Sequence, residues 1–186
     1  MKVSREQVRR NREQILAAAA RLFRERGLDG VSVAEVMQAA GLTHGAFYGH
    51  FDSKQALIRE ALRHDGAAAP AARRKRASTQ SAAEFADSYL STRHRDDPGG
   101  GCAVAGLGAE AARGSAELRA TLTESVKREI DRFSAASPGA TAAQRRRAAI
   151  ASYAAMVGAI VIARVVADDK LSQEILATTR KAVHLA

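Results

Sequence analysis

The sequence predicts an all-α protein: an N-terminal three-helix helix-turn-helix domain followed by a longer helical domain. Three observations predict it. Apolar residues recur at helical spacing through most of the 186 residues, no alternating strand pattern interrupts them, and two short capped helices flank a glycine turn near residue 41.

The first helix rests on Ile15, Ala19, Leu22 and Phe23, which share one face, with Gly27 as the stop signal just beyond it. SVAE at Ser32–Glu35 has the form of a capping box, in which hydroxyl and carboxylate each satisfy an orphan backbone N–H, and Val31 and Val36 can staple the entry. A second helix therefore starts at Val33 and runs to Ala40. Gly41 follows, the residue type that most easily takes the left-handed conformation ending a helix. Thr43 is placed to cap a third helix, with Leu42 and Phe47 as its staple.

In that third helix Phe47 and Phe51 lie four apart and should face inward, leaving His44, Gly45, Tyr48 and Gly49 outside. Glycine inside a helix costs roughly 0.5–1 kcal/mol, so two of them on an exposed face suit close approach to another surface better than stability. Asp52 or Ser53 can cap a fourth helix whose first turn carries Lys54, well placed to grip a phosphate.

Composition agrees with a polyanionic partner. The net charge is +9, the pI about 10.4 and the hydrophobic content 46%, ordinary for a soluble protein. One cysteine excludes an intramolecular disulfide, and no signal peptide is evident, so the expected compartment is the cytoplasm. The longest apolar run, Ala148 to Ala163, is shorter than the about 20 residues of a membrane span and reads as a buried helix.

Beyond the fourth helix, GAAAP at residues 66–70 and the basic cluster at residues 73–76 read as a connector. Further helices are expected from near Ser81, then, after a polar turn HRDDPGGG, over Cys102 to Ala112, Ala116 to Ser134, Ala142 to Ala167 and Ser172 to Leu185.

Residues Ile15 to Leu57, ILAAAARLFRERGLDGVSVAEVMQAAGLTHGAFYGHFDSKQAL, resemble the TetR/AcrR family of bacterial one-component transcription regulators. Gly41-Leu42-Thr43, Phe47-Tyr48, His50-Phe51 and Ser53-Lys54 carry the resemblance most specifically, whereas Ala34 and Gly49 depart from it and remove possible contacts. It implies helices over Arg5–Arg26, Val33–Ala40 and His44–His50 (the recognition helix), and a fourth from Lys54. By the same resemblance Tyr48, His50, Lys54 and the backbone N–H groups at Ser32 and Val33 hold phosphates, while Thr43, His44, Gly45 and Ala46 face base edges, roles their chemistry also suits. So sparse a set of readers leaves room for DNA shape, or for Lys2, Arg5, Arg9, Arg10 and Arg12 reaching a groove; a solvated helix face is the other reading of those side chains.

The C-terminal part resembles a branch of the same family through HRDDPGGGCAVAGLGAEAAR and MVGAIVIARVVADDKLSQEIL. This implies a sensor and dimerisation domain whose last two helices form a four-helix bundle with a second copy. Helical spacing suggests the same, with Tyr153, Val157, Ile160, Val161 and Arg164 on one stripe and Ile175, Thr179 and Val183 on another. Phe85, Tyr89, Leu107, Leu122, Val126 and Phe133 are candidate liners of an effector pocket, with ordinary core packing as their other reading.

Gly106-Leu107-Gly108 begins a G-x-G-x-x-A pattern with no strand before it, so a dinucleotide site is not expected. His94, Asp96, Asp97 and Cys102 lack metal-ligand spacing, and no nucleophile has a nearby base; no metal, cofactor or enzymatic activity is expected. Cys102, at a helix start, reads as structural, with a redox sensor as the alternative.

The expectation is thus a DNA-binding domain at residues 1–52 and a ligand-binding and dimerisation domain at residues 53–186, connected through the fourth helix. Together they make a homodimeric repressor that a small-molecule effector releases from a near-palindromic double-stranded DNA operator, away from any membrane. A DNA-organising protein without a sensor is the alternative.

Overall fold

The computed structural model describes residues 4–67, 81–137 and 139–185, and all regular structure in them is helical. The order is α1 (Arg5–Arg26), α2 (Val33–Ala39), the 3-10 helix α3 (His44–Gly49), α4 (Lys54–Ala67), α5 (Ala82–Tyr89), α6 (Thr92–Asp96), α7 (Ala103–Arg113), α8 (Ala116–Ala136), α9 (Ala142–Val165) and α10 (Asp169–Leu185). Lys2 and the connector from residue 68 on lie outside the described residues.

Local chemistry sets most of these boundaries. Ser4 caps α1 by accepting from the Gln7 N–H, and Gly27, at φ +78°, ends it with its own N–H on the Phe23 carbonyl. Reciprocal capping boxes start α2 at Ser32, α5 at Ser81 and α9 at Thr141. The first three residues of the expected polar turn HRDDPGGG, His94 to Asp96, instead complete α6, which the Ser91 hydroxyl caps at the His94 N–H.

Two cores divide the chain. The first joins Ile15 and Phe23 of α1, Val36 and Met37 of α2, Phe47 and Phe51, and Leu57 and Leu62 of α4. It also takes in Leu107 and Ala111 of α7 and Leu122 of α8, so packing does not break at residue 52: α4 and parts of α7 and α8 belong to the body that holds α1. The second core joins Tyr89 and Leu90 with Phe133, Tyr153, Met156, Ile160 and Leu176. α9 is 24 residues long with a mean hydropathy of 1.9 in its most apolar window, longer than the expected run and long enough to span a bilayer. It nonetheless turns Ala149, Tyr153, Met156, Ile160 and Ala163 into the second core, as a core helix does.

The two bodies meet where α7 crosses the end of α1. A Cβ on Gly106 would stand 3.2 Å from the Arg24 carbonyl oxygen, so the missing side chain is what lets the helices approach. That explains the glycine the dinucleotide pattern drew attention to. Arg24, only 6% exposed, donates from Nε to the Gly99 carbonyl at 2.7 Å and again from Nη2. Glu110 on α7 accepts from the Leu28 N–H at 2.9 Å. Charged hydrogen bonds of this kind contribute about 1.5–3 kcal/mol. Arg24→Met, which keeps the bulk and removes the donors, should therefore lower unfolding free energy by about that amount in urea titration; an unchanged midpoint would show that the junction does not hold the two bodies together.

Candidate nucleic-acid interface

The exposed end of the first body is built from α2, the turn after it and α3. At α2 the Ser32 N–H donates to Glu35 Oε2 at 2.8 Å while the Glu35 N–H donates to Ser32 Oγ at 3.2 Å. Arg26 adds an ion pair to Glu35 Oε1 at 2.5 Å. The Ser32 backbone hydrogen bond, followed by Arg26, holds the Glu35 carboxyl at about 2. The Ser32 amide expected to hold a phosphate is thus already given to a carboxylate, a correction that leaves Val33 as the amide of that pair without a partner among the described residues.

Gly41 takes φ +71°, and the Leu42 N–H closes the turn on the Met37 carbonyl at 2.9 Å. An L side chain there costs about 1–2 kcal/mol. The recognition segment then departs from expectation: it is 3-10 rather than α-helical, and the Thr43 side chain makes no cap. Instead the Thr43 carbonyl accepts from the Ala46 N–H at 3.1 Å, tightening the turn and leaving the hydroxyl exposed. Gly45 and Gly49 lower the helical preference that would oppose this.

Phe47, 1% exposed, stacks on Phe51 at 5.8 Å and anchors the segment; truncating so buried a ring costs about 3–5 kcal/mol. Thr43, His44, Gly45 and Tyr48 point outward, and Tyr48 is 70% exposed with His44 edge-on at 6.4 Å. An aromatic ring so exposed on an anchored segment offers a flat face and a hydroxyl to a partner. Ala46 differs from expectation, since its half-buried methyl packs against the first core.

Ser53, not Asp52, caps α4, accepting the Ala56 N–H at 3.1 Å. Lys54 stands in the first turn, half-buried, with no ion pair among the described residues. His50 is also half-buried, and burial together with the nearby Arg12 charge pushes its imidazole below the usual value. The imidazole is thereby held toward its neutral form.

Arg12 was grouped with the groove-reaching arginines, yet it points inward. Its guanidinium donates to the His50 carbonyl and to Glu60 and lies 4.3 Å over the Phe51 ring, clasping α1, the end of α3 and α4 together. Partners 38 and 48 residues away gave no local signal. Arg9 and Arg10 form surface pairs with Glu13 and Glu6, worth about 0.3–0.5 kcal/mol each and easily exchanged for phosphate.

The expected effector and dimer residues are distributed differently from the sequence reading. Leu107 and Leu122 belong to the first core, so they do not line a common pocket with Phe85, Tyr89, Val126 and Phe133, which gather in the second. Tyr153 and Ile160 are enclosed by their own chain, and Val157, Ile175 and Val183 pack against the second core; Thr179 is half-buried. Arg164 turns to α6, donating to the carbonyls of His94 at 2.7 Å and Arg95 at 3.0 Å. Only Val161 of the proposed stripes is an exposed large hydrophobic residue. The outward face of α9 carries Ile150, Ala154, Val161, Ile162 and Val165 instead. Cys102 precedes α7 half-buried, its Sγ 3.8 Å from the Tyr153 hydroxyl.

Residues 15–61 match the family described as bacterial regulatory proteins, tetR family. Over 52 residues, 28% of this chain and 26% of the relative, the chain is 46% identical to the HTH-type transcriptional repressor KstR2 of Rhodococcus jostii. Over 59 residues, 32% of the chain and 28% of the relative, it is 37% identical to the HTH-type transcriptional regulator TtgR of Pseudomonas putida. These matches span only about a quarter of the curated relatives' length. Among solved structures, a TetR-family transcriptional regulator from Cytophaga hutchinsonii superimposes with a TM-score of 0.75 at 21% identity, over 99% of this chain and 97% of that one. The reduced form of E. coli NemR does so with a TM-score of 0.72 at 24% identity, over 93% and 94%. At these identities the likeness is one of fold.

The capping box gives a pH test. A carboxyl with a folded pKa below its unfolded value contributes stability that is complete above about 4.5 and is lost as pH falls toward about 2. NMR titration should place the Glu35 midpoint near 2, with the Ser32 amide shifting alongside; a midpoint near 4.5 would mean that the box does not form in solution.

Proposed function

The chain belongs to the TetR family of bacterial regulatory proteins, a family of transcriptional regulators rather than enzymes, and from that premise we propose that it is a cytoplasmic homodimeric repressor, released from a near-palindromic DNA operator by a small molecule. The observation carrying this reading is the outward set Thr43, His44, Gly45 and Tyr48 on a segment anchored by Phe47.

Division of labour follows from chemistry. The Val33 N–H, Tyr48, His50 and Lys54 hold phosphates and fix register, whereas Thr43, His44 and the bare backbone of Gly45 meet base edges. Ser32 acts through the cap it provides to α2 and Ala46 through core packing. Two such readers enter successive major grooves about 34–36 Å apart.

The outer face of α9 supports dimerisation. Ile150, Val161, Ile162 and Val165 are 43%, 37%, 51% and 78% exposed, and Ala154 and Gly158 between them allow close helix approach. A contiguous apolar face of this kind is best buried against a second copy. Effector binding in the helical domain would then be felt at the readers through α4 and through the α7–α1 junction.

Lys54→Ala should weaken binding to all DNA sequences alike and flatten the salt dependence by about one unit of slope. His44→Ala should relax preference at one base position by about 1–3 kcal/mol. Equal losses on operator and random DNA for His44→Ala would remove it as a reader.

Val161→Glu puts a charge into the dimer seam at a cost of several kcal/mol where the seam is dry. Sedimentation should then give monomers, and operator affinity should collapse with every reader intact. A folded, dimeric variant with normal affinity would rule out this face as the interface.

A further inference from the structure

The loop that Arg24 of α1 grips is held from its other side by a histidine. His94 of α6 is half-buried, and both of its ring nitrogens meet the backbone: Nδ1 lies 2.7 Å from the Tyr89 carbonyl oxygen, and Nε2 accepts from the Cys102 N–H at 3.1 Å. A carbonyl oxygen can only accept, so Nδ1 carries the ring proton and Nε2 carries none. The arrangement is open to the neutral imidazole alone.

Gly101 makes room for it. A Cβ there would stand 2.6 Å from His94 Nε2, so a side chain would displace the ring from the Cys102 N–H. From the same loop the Gly99 carbonyl accepts from Arg24, and Asp97 accepts the Gly100 N–H at 3.1 Å while pairing with Arg21 of α1 at 2.9 Å. One short stretch thus joins the start of α7, His94 and the end of α1.

We infer that His94 is a proton-operated latch on the α7–α1 junction. A proton taken from solvent onto Nε2 turns the acceptor of the Cys102 N–H into a second donor facing it, and the loop at residues 97–101 comes away, loosening its hold on Arg24.

The surrounding charges do not offset this. Arg164 of α9 donates to the His94 carbonyl at 2.7 Å, which brings a guanidinium beside the ring. Asp96 of α6 is paired with Arg95, which also holds Asp169 of α10, and Asp97 is paired with Arg21. Tyr89 of α5, edge-on to the ring at 4.4 Å, and Tyr153 of α9, with the Cys102 thiol against its hydroxyl, are kept protonated chiefly by burial. An imidazolium here meets Arg164, whereas the nearby carboxylates already have partners.

Stability from a bond that only the neutral ring can make is complete above the ordinary histidine pKa of about 6.5 and is lost as pH falls through the folded value. The latch does not depend on what the protein binds. Its effect on an operator rests on the reading of the chain as a DNA-binding repressor.

The test is an NMR titration of the full chain, with isotope-labelled histidine, from about pH 7.5 to about pH 5. At the upper end the ring nitrogen shifts of His94 should show the Nδ1–H tautomer. On acidification His94 should titrate at lower pH than the histidines of the urea-unfolded chain, and the Cys102 amide and the Arg24 Nε–H should shift with the same midpoint. An Nε2–H tautomer, a midpoint at or above that of the unfolded chain, or an Arg24 Nε–H that stays still overturns the proposal. His94→Gln keeps a neutral acceptor and cannot titrate. Over the same range the unfolding constant of the wild type in urea should rise at least about threefold more than that of the variant, and an equal rise overturns the proposal too. Should His94→Gln not fold, the wild-type titration decides alone. Operator affinity is read separately by fluorescence anisotropy, where acidification should weaken the wild type at least about threefold more than His94→Gln. Equal weakening, with the NMR signature present, keeps the latch and removes its hold on DNA.

Discussion

The approach of α7 to the end of α1 is the constraint on which the rest of the molecule depends. Gly106 lets the two backbones come together, the Arg24 guanidinium is committed to the loop before α7, and Glu110 holds the Leu28 N–H. Because Leu107 and Leu122 fill the same core as Phe23 and Phe47, the reader end is not an independent ball on a tether. Close-packed interiors transmit strain rather than absorb it. A shift of α7 or α8 therefore has a direct route to the segment proposed to face DNA.

At that segment the anchoring residues and the exposed ones proposed to read DNA are different residues. Phe47, Phe51 and the Arg12 clasp fix the backbone from inside, while Thr43, His44, Gly45 and Tyr48 contribute little to folding and are free to meet a partner. With His50 held toward its neutral form and Arg9 and Arg10 in weak surface pairs, the proposed cationic grip would rest chiefly on Lys54 and on arginines that can exchange partners. Few side chains in the proposed reading are placed to reach base edges. On that proposal discrimination draws on DNA shape as well as on direct contacts.

What could be read in advance was what is encoded locally. Ser32 with Glu35, Gly27, Gly41 and Ser53 are signals complete within four or five residues, and the helix boundaries near them fell within a residue or two of those observed. α6 was invisible because five polar residues carry no apolar period; it is held by Arg164, some 70 residues away. Arg12 escaped for the same reason. On α9 the spacing rule failed differently: Ala, Val, Ile and Met surround the helix, so periodicity did not distinguish the face that meets Phe133 from the face left outside. The 3-10 form of α3 depends on glycines competing with a tertiary anchor, a balance that no propensity scale resolves.

The central claim is that this chain reads a two-fold DNA sequence through α3. Selection of duplexes from a random-sequence pool by the purified full chain at near-physiological salt measures it directly. The account predicts enrichment of a near-palindrome whose half-site centres lie about one helical turn, roughly 34–36 Å, apart. Tight, salt-sensitive binding with no sequence enriched after repeated rounds would contradict it and leave a protein that grips DNA by charge alone.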